Sequence, residues 1–387
     1  MDDHRWTRRA FLRWLAAAAG VAALGGCEPD VPPPAPATTP SPTRWPSPTP
    51  WPLHPARYYR PLDDGSVQCQ LCFRGCVVKE GRLGFCRNRK NVGGEYFTKV
   101  YGRAAAIQVD PIEKEPAFHV LPGQRILCTA TASCNFRCRG CQNWELSQRS
   151  VDELTSEPAA PAQIADRAVR EGCAAVSFTY NEPTVFYEYM ADIAAAARAR
   201  GLRALFHTNG AMRAEPLRAL LEVMDAVVVD LKGFDETFYE RVSQAALAPV
   251  LSTLREVRQT DTHLEVVHLL IPTLNDDLTV TRRMCAWLAQ HVGPDTPLHL
   301  LRFWPAYKLQ RLPPTPVETL EAAAAIAEEE GLRYVYIGNV PGHERNSTYC
   351  PACGQRVITR AHFCTVAVDI EAGQCRFCGE PISGTWE

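Results

Sequence analysis

From residue 126 onward, short runs of β-branched and apolar residues alternate with longer segments of helical periodicity. Strands that alternate with helices form parallel sheets, because each helix carries the chain back to the start of the next strand. The pattern predicts an α/β fold built on a partial or complete (β/α) TIM-type barrel, with an open doubly wound sheet as the alternative. The predicted strands cover residues 126–132, 174–179, 203–208, 226–231, 264–271, 298–303 and 334–338, and the predicted helices cover residues 161–171, 185–200, 215–223, 248–259, 278–291 and 317–330.

Most of the sixteen cysteines fall into groups along the chain. They are too few for a disulfide-built scaffold, and close spacing within groups is typical of metal ligands. We name three groups: the N-terminal quartet, the three-cysteine loop and the C-terminal quartet. They consist of Cys69, Cys72, Cys76 and Cys86; of Cys134, Cys138 and Cys141; and of Cys350, Cys353, Cys375 and Cys378.

The three-cysteine loop follows the first predicted strand with the spacing Cys-x3-Cys-x2-Cys. Three thiolates can hold a 4Fe-4S cluster and leave one iron open for chemistry. This pattern resembles the signature of the radical S-adenosylmethionine (SAM) superfamily, and the resemblance implies that the amino and carboxylate groups of SAM chelate the open iron. Half of a zinc site, or free thiols, is the alternative. Gly140 stands where the superfamily often has an aromatic residue, and Phe136 or Trp144 is then expected to cover the cluster.

Polar residues stand at three of the next predicted strands: Glu182 and Asn209 follow the strands at 174–179 and 203–208, and His268 lies within the strand at 264–271. The resemblance implies that Glu182 meets the amino group of SAM, and that Asn209 and His268 contact its methionine and ribose. A carboxylate suits an ammonium group because it accepts charge-assisted hydrogen bonds. The alternatives are a helix start, with Asn181 as cap and Pro183 in the first turn, and a structural histidine.

Two further positions at the strand ends stay open. His207 stands where the glycyl-radical activating enzymes, which these segments resemble, usually have an aspartate. Asp230 and Lys232 form either an internal ion pair or a contact with substrate.

A closer resemblance covers residues 57–386. Segments 57–59, 69–72, 110–114, 141–144, 178–183, 229–232, 302–308 and 338–342 are similar to the radical SAM enzyme of the AmmeMemoRadiSam system, a family itself similar to the pyruvate formate-lyase activating enzyme. The resemblance implies a fold and cofactors, namely a 4Fe-4S cluster and SAM, but no substrate. It also suggests a Memo-like protein as a partner.

The C-terminal quartet consists of two Cys-x2-Cys pairs, each followed by a glycine that allows a tight turn. Four thiolates in two such turns predict a structural zinc ribbon, and two disulfides are the alternative. The N-terminal quartet has irregular spacing and could bind zinc or a second cluster. The remaining cysteines, Cys128, Cys173, Cys285 and Cys364, are predicted to be small buried apolar residues.

The N-terminus predicts export. Arg8-Arg9 precedes a short apolar run that ends at Gly26-Cys27, a pattern that resembles a Tat signal with a lipoprotein box. The predicted organisation is a signal at 1–27, a Pro-rich tether at 28–55, a Cys-rich module at 56–122, the radical SAM core at 123–342 and a zinc-ribbon-like module at 343–387. The predicted location is the outer face of the cytoplasmic membrane, through lipid on Cys27, with the cytoplasm as the alternative.

These observations lead to one functional hypothesis and one rival. The hypothesis is an enzyme that takes an electron from an external one-electron reductant, cleaves SAM to a 5′-deoxyadenosyl radical, and abstracts hydrogen from a protein, peptide or small-molecule substrate. The rival is a tethered iron-sulfur electron-transfer or metal-binding protein without radical chemistry. A net charge of -2 argues against nucleic acid as a partner.

Overall fold

The computed structural model describes residues 51–386. Its strands are β1 (His54–Pro55), β2 (Tyr59–Pro61), β3 (Val67–Cys69), β4 (Val77–Val78), β5 (Arg89–Val92), β6 (Glu95–Thr98), β7 (Arg103–Ala104), β8 (Ala106–Pro111), β9 (Arg125–Ala130), β10 (Glu157–Pro158), β11 (Ala175–Phe178), β12 (Arg203–Thr208), β13 (Ala226–Asp230), β14 (His263–Leu270), β15 (Leu298–Arg302), β16 (Val335–Gly338), β17 (Thr348–Tyr349), β18 (Arg356–Ala361), β19 (Cys364–Val368), β20 (Ile370–Glu371) and β21 (Gln374–Cys375). Its α-helices are α1 (Trp144–Ser147), α2 (Pro161–Arg170), α3 (Tyr187–Arg198), α4 (Ala214–Leu221), α5 (Glu236–Phe238), α6 (Ala248–Arg258), α7 (Leu278–His291) and α8 (Val317–Glu329).

The core is an eight-stranded sheet in the order β16-β15-β14-β13-β12-β11-β9-β8. The seven strands from β9 to β16 in this sheet are parallel and follow one another in chain order. A doubly wound sheet reverses its strand order at a switch point, so the unbroken order confirms a barrel-type core. Because β8 and β16 stand at opposite edges of the sheet, the barrel is partial.

The edge strand β8 is the part of the sheet that the sequence pattern does not predict. It pairs with β9 in antiparallel register, from Ala106 opposite Ala130 to Pro111 opposite Arg125. A strand with this direction needs no crossover helix, so it falls outside the alternation that marks the other seven.

Helices cover the outside of the parallel strands, and local sequence sets where they start. Pro161 occupies the first turn of α2, where its missing N–H needs no partner. The Asp277 side chain caps α7 by accepting a hydrogen bond from the Thr279 N–H. Each helix buries one face, as α2 does with Ile164, Ala165 and Ala168.

The N-terminal module lies at the carboxyl ends of the barrel strands. It consists of two small antiparallel sheets, β1-β6-β5 and β2-β3-β4. The Phe73 N–H donates to the Ala211 carbonyl at 3.0 Å, which joins the module to the loop after β12. Residues 51–55 of the predicted tether pack on this module, where His54 stacks on Tyr101 at 3.7 Å. The predicted signal and residues 28–50 lie outside the described residues.

The C-terminal module packs against the opposite, amino-terminal end of the barrel. There Arg360 donates to the Phe118 carbonyl and the His119 ring hydrogen-bonds the Ser383 carbonyl, while Glu265, near the start of β14, accepts hydrogen bonds from the backbone of Phe118 and His119. Within this module Cys364 is exposed, because β19 lies at a solvent-facing edge of its sheet, so the prediction that it is buried is wrong. Cys128, Cys173 and Cys285 are buried as predicted.

No helix within residues 51–386 combines the length and the apolar character that crossing a membrane requires.

Candidate active site and metal centres

The three-cysteine loop leaves the end of β9 through Ser133, whose φ of 68° turns the chain sharply. The backbone N–H groups of Arg137 and Arg139 donate to the carbonyls of Ser243 and Val242, which fixes the loop against the segment after α5. All three thiols are partly buried. The Phe136 N–H donates to Cys134 Sγ at 3.2 Å, and the Ser147 hydroxyl lies 3.1 Å from Cys141 Sγ.

The cover over the loop comes from an unexpected part of the chain. A Cβ on Gly140 would lie 3.0 Å from Leu309 Cδ1 and 3.4 Å from Phe303 Cε2, so these two side chains fill the space that an aromatic residue would take. Trp144 stacks on Tyr307 at 5.3 Å. The sequence analysis missed Phe303 and Leu309, although segment 302–308 carried part of the family resemblance.

Glu182 is buried between the ends of β11 and β12. Its Oε1 accepts hydrogen bonds from the backbone and hydroxyl of Thr184 and from the Thr208 hydroxyl, and its Oε2 accepts one from the Asn209 N–H at 2.8 Å. Burial raises the pKa of this carboxyl. Glu182, not Asn181, caps the short 3-10 helix Pro183–Phe186, and Pro183 takes its first position.

Asn209 connects Glu182 to the three-cysteine loop. Its amide nitrogen donates to Asn135 Oδ1 at 2.7 Å and lies 3.7 Å from Cys134 Sγ. Asn181 ties the end of β11 to the same loop, because its amide donates to the Ser133 carbonyl at 2.9 Å. The structure therefore brings Glu182 and Asn209 together beside the first cysteine of the motif.

His268 lies two strands away, on β14. Its Nδ1 hydrogen-bonds the Leu231 carbonyl at 2.7 Å, which makes Nδ1 the protonated nitrogen and leaves the lone pair on Nε2. Burial lowers the pKa of this ring, so the neutral form is the stable one.

The undecided pair at the end of β13 is an internal ion pair that extends to His207. Lys232 Nζ lies 2.8 Å from one oxygen of Asp230, and His207 Nε2 lies 3.3 Å from the other. Against the effect of burial, Lys232 and His207 hold the pKa of Asp230 well below its usual range. Asp230 and Cys138 raise the pKa of Lys232, also against burial, so a cation stands next to the three-cysteine loop.

The residues of this site fit a 4Fe-4S cluster. Three thiols come from one loop, and within residues 51–386 their sulfurs are not gathered tightly enough to hold a single ion. Each thiolate of such a cluster binds a different iron, so wider spacing is what this group requires. The buried Ser133 hydroxyl beside the loop has no hydrogen-bond partner in the described structure, which leaves a donor for a bound group.

The C-terminal quartet has a different geometry. Cys350 Sγ lies 3.6 Å from Cys378 Sγ, and Cys353 Sγ lies 3.8 Å from Cys375 Sγ. Four thiolates around zinc, at about 2.3 Å each, stand about 3.8 Å apart. The N–H groups of Gly354 and Gly379 donate to the carbonyls of Cys350 and Cys375, not to the sulfurs. Both glycines have positive φ, so each pair forms the same tight turn.

Comparison with known proteins identifies the family. The Radical SAM superfamily matches residues 129–284, a range that contains the three-cysteine loop, Glu182, Asn209 and His268. An uncharacterized protein of Methanocaldococcus jannaschii is 43% identical over 332 residues, which are 85% of this chain and 99% of that protein. This chain belongs to the radical SAM superfamily.

Two further proteins are less similar to this chain. The benzylsuccinate synthase activating enzyme of Thauera aromatica is 22% identical over 309 residues, 73% of this chain and 91% of that enzyme. Among solved structures, a radical SAM methyltransferase from Sphaerobacter thermophilus has a TM-score of 0.44 and 15% identity, and the match covers 79% of this chain and 81% of that one. The family match and the activating-enzyme relative together show that the chain is a radical SAM enzyme similar to activating enzymes.

Proposed function

We propose that this radical SAM enzyme reductively cleaves SAM to methionine and a 5′-deoxyadenosyl radical, which abstracts a hydrogen atom from its substrate. The observation that carries the proposal is a loop with three thiols and no fourth, set directly against Glu182 and Asn209. A 4Fe-4S cluster on this loop supplies the open iron and the electron. The rival, a tethered electron-transfer protein, needs no such residues beside the cluster.

The chain's own residues bind, orient and cover the reactants. Glu182 fixes the ends of β11 and β12, so that the Asn209 amide faces Cys134. Phe303 and Leu309 close over Gly140 and exclude water. The cation of Lys232 and the unprotonated Nε2 of His268 provide a charge and an acceptor for polar groups of SAM.

We infer a polar substrate from the inner face of the barrel. An apolar layer that includes Cys128 and Val228 fills its lower part. Polar groups share this face, because Ser177 lies opposite Cys128 in the register and its hydroxyl donates to Glu115 at 2.7 Å, and Tyr180 bonds to Asp110. A protein side chain or a small polar molecule suits these groups better than an apolar ligand does. A Memo-like protein is proposed as partner on the family resemblance alone, and zinc is proposed at the C-terminal quartet.

The proposal is tested with the Cys138→Ala variant of the anaerobically reconstituted protein. SAM and dithionite are added, and 5′-deoxyadenosine is measured. We expect the wild type and a Cys285→Ala control, which alters a buried cysteine outside the three groups, to form the product, and Cys138→Ala to form none. A wild type that carries its full iron load and still forms no 5′-deoxyadenosine would support the rival instead.

A further inference from the structure

The N-terminal quartet surrounds one cavity. All four of its cysteines line this space, together with Arg74, Arg89, Tyr96 and Asn135. Gly84 forms part of the wall, and a Cβ on it would lie 2.7 Å from the Tyr96 hydroxyl oxygen. Four thiols that converge from the β3–β4 hairpin and the turn before β5 form a ligand set with an enclosed centre.

The spacing of the sulfurs in the N-terminal quartet differs from the spacing that a single bound ion requires. Within residues 51–386, the C-terminal quartet is the one set of three or more ligand atoms that all lie within 4.8 Å of one another. The N-terminal quartet does not meet this condition, and neither does the three-cysteine loop. The N-terminal quartet therefore does not form the compact tetrahedron of the C-terminal quartet, which suits a single zinc ion.

Two buried donors at this cavity have no partner. Arg89 and Asn135 are both 1% exposed, and Arg89 Nε and Asn135 Nδ2 form no hydrogen bond in the described structure. A buried donor without a partner costs about 1–3 kcal/mol. The sulfides of an iron-sulfur cluster add acceptors for such hydrogen bonds, whereas around a zinc ion only the cysteine thiolates could accept them.

The cavity is joined to the three-cysteine loop by direct contacts. Arg74 Nε donates to the Asn135 carbonyl at 2.6 Å. Arg137 donates to the carbonyls of Cys134 at 2.5 Å and of Phe85 at 2.8 Å, and Phe85 immediately precedes Cys86. Asn135 itself lines the cavity and follows Cys134 in the loop. Asn135 therefore belongs both to the wall of this cavity and to the three-cysteine loop.

We propose that Cys69, Cys72, Cys76 and Cys86 bind a second 4Fe-4S cluster, ligated by protein on every iron, beside the SAM-binding site. With no open iron, this cluster makes and breaks no bond to a substrate. Its chemistry is one-electron transfer: it gains one electron from an external one-electron reductant and returns to its oxidised state by releasing it. The use of this electron in SAM cleavage rests on the proposed function, whereas the existence of the second cluster does not.

The test uses the full chain with Cys134, Cys138 and Cys141 all changed to Ala, which leaves the N-terminal quartet intact. After anaerobic reconstitution, iron, sulfide and zinc are counted and the dithionite-reduced protein is examined by electron paramagnetic resonance. We expect about four iron and four sulfide per chain, against about eight of each in the wild type, and a reduced-cluster spectrum that SAM does not change.

A second variant with all four cysteines of the N-terminal quartet changed to Ala should keep about four iron, with a spectrum that does respond to SAM. Cys285→Ala serves as the matched control with the full iron content. A first variant without iron and sulfide, or with additional zinc in their place, overturns the second cluster. The proposed function would survive that result, because it fails only if the wild type does not cleave SAM.

Discussion

The Glu182 carboxylate accepts more hydrogen bonds from the protein than a residue that only binds a ligand would need. Four hydrogen bonds reach it from Thr184, Thr208 and Asn209, and it is 4% exposed. Its first task is therefore to set the relative position of two strand ends. Its effect on SAM then acts partly through Asn209.

The Glu182→Gln variant should lose both stability and SAM affinity while keeping its iron. The new amide would place N–H groups against a set of donors, at a cost of about 1–3 kcal/mol, and SAM affinity should fall about ten- to a hundredfold. Melting temperature, a SAM titration and an iron assay measure the three effects. The exposed Glu171→Gln variant is the control, and an unchanged SAM affinity would reduce Glu182 to a helix cap.

His119 makes the fold sensitive to acid. It is fully buried, between the Ser383 carbonyl and the Tyr336 hydroxyl, and burial lowers its pKa to about 3. The unfolded chain binds a proton on this ring below about pH 6.5, but the folded chain does not. Stability is therefore present above that pH and is lost as the pH falls, by up to about 1.4 kcal/mol per unit.

The matching measurement compares melting temperatures at about pH 7 and about pH 5.5, on either side of the ordinary histidine pKa. We expect His119→Gln to reduce the difference between them, because the variant has no ring to protonate. His362→Asn, at an exposed position, should behave as the wild type does. An equal pH dependence in all three proteins would show that His119 does not control acid stability.

At the scale of elements, the C-terminal module depends on its quartet. Cys353→Ser combined with Cys378→Ser should remove about one zinc per chain and lower the melting temperature, because a structural zinc site supplies folding free energy directly. Iron content should stay unchanged, since this module lies at the opposite end of the barrel from the three-cysteine loop. Cys364→Ser alters an exposed cysteine of the same module and should keep the metal. Loss of iron in the double variant would contradict this independence.

The sequence predicts an element correctly where the signal is local, and it fails where contacts between distant parts of the chain determine the structure. The predicted strand at 203–208 and helix at 278–291 match β12 and α7, because a short apolar run and the Asp277 cap are local signals. The strand β8 alternates Ile107 and Val109 with Gln108 and Asp110, but it is antiparallel to β9 and so falls outside the strand–helix alternation on which the prediction rests. The cover on Gly140 comes from Phe303 and Leu309, far along the chain, and no local pattern could have indicated it.

For the whole molecule, we propose export and anchoring by the N-terminal leader. Replacing Arg8-Arg9 with Lys-Lys should trap an unprocessed precursor inside the cell, because the paired arginines are the proposed export signal. Cys27→Ser should release an exported form from the membrane, because it removes the proposed site of lipid attachment. Stable attachment of the wild type takes more than one lipid chain on this residue. Cell fractionation and mass spectrometry of the N-terminus measure both. A wild-type protein recovered from the cytosol with an intact N-terminus would contradict the proposal.

The incomplete barrel leaves its diameter adjustable. In a closed barrel, strand number and shear fix the width through backbone hydrogen bonds, but β8 and β16 share no pairing in the described chain. Side chains close this seam near the amino-terminal end, where Phe118 contacts Tyr336 at 4.9 Å and His119 contacts Tyr334 at 4.6 Å. A change of ring size at the seam therefore shifts one edge of the sheet relative to the other without breaking a backbone hydrogen bond between β8 and β16.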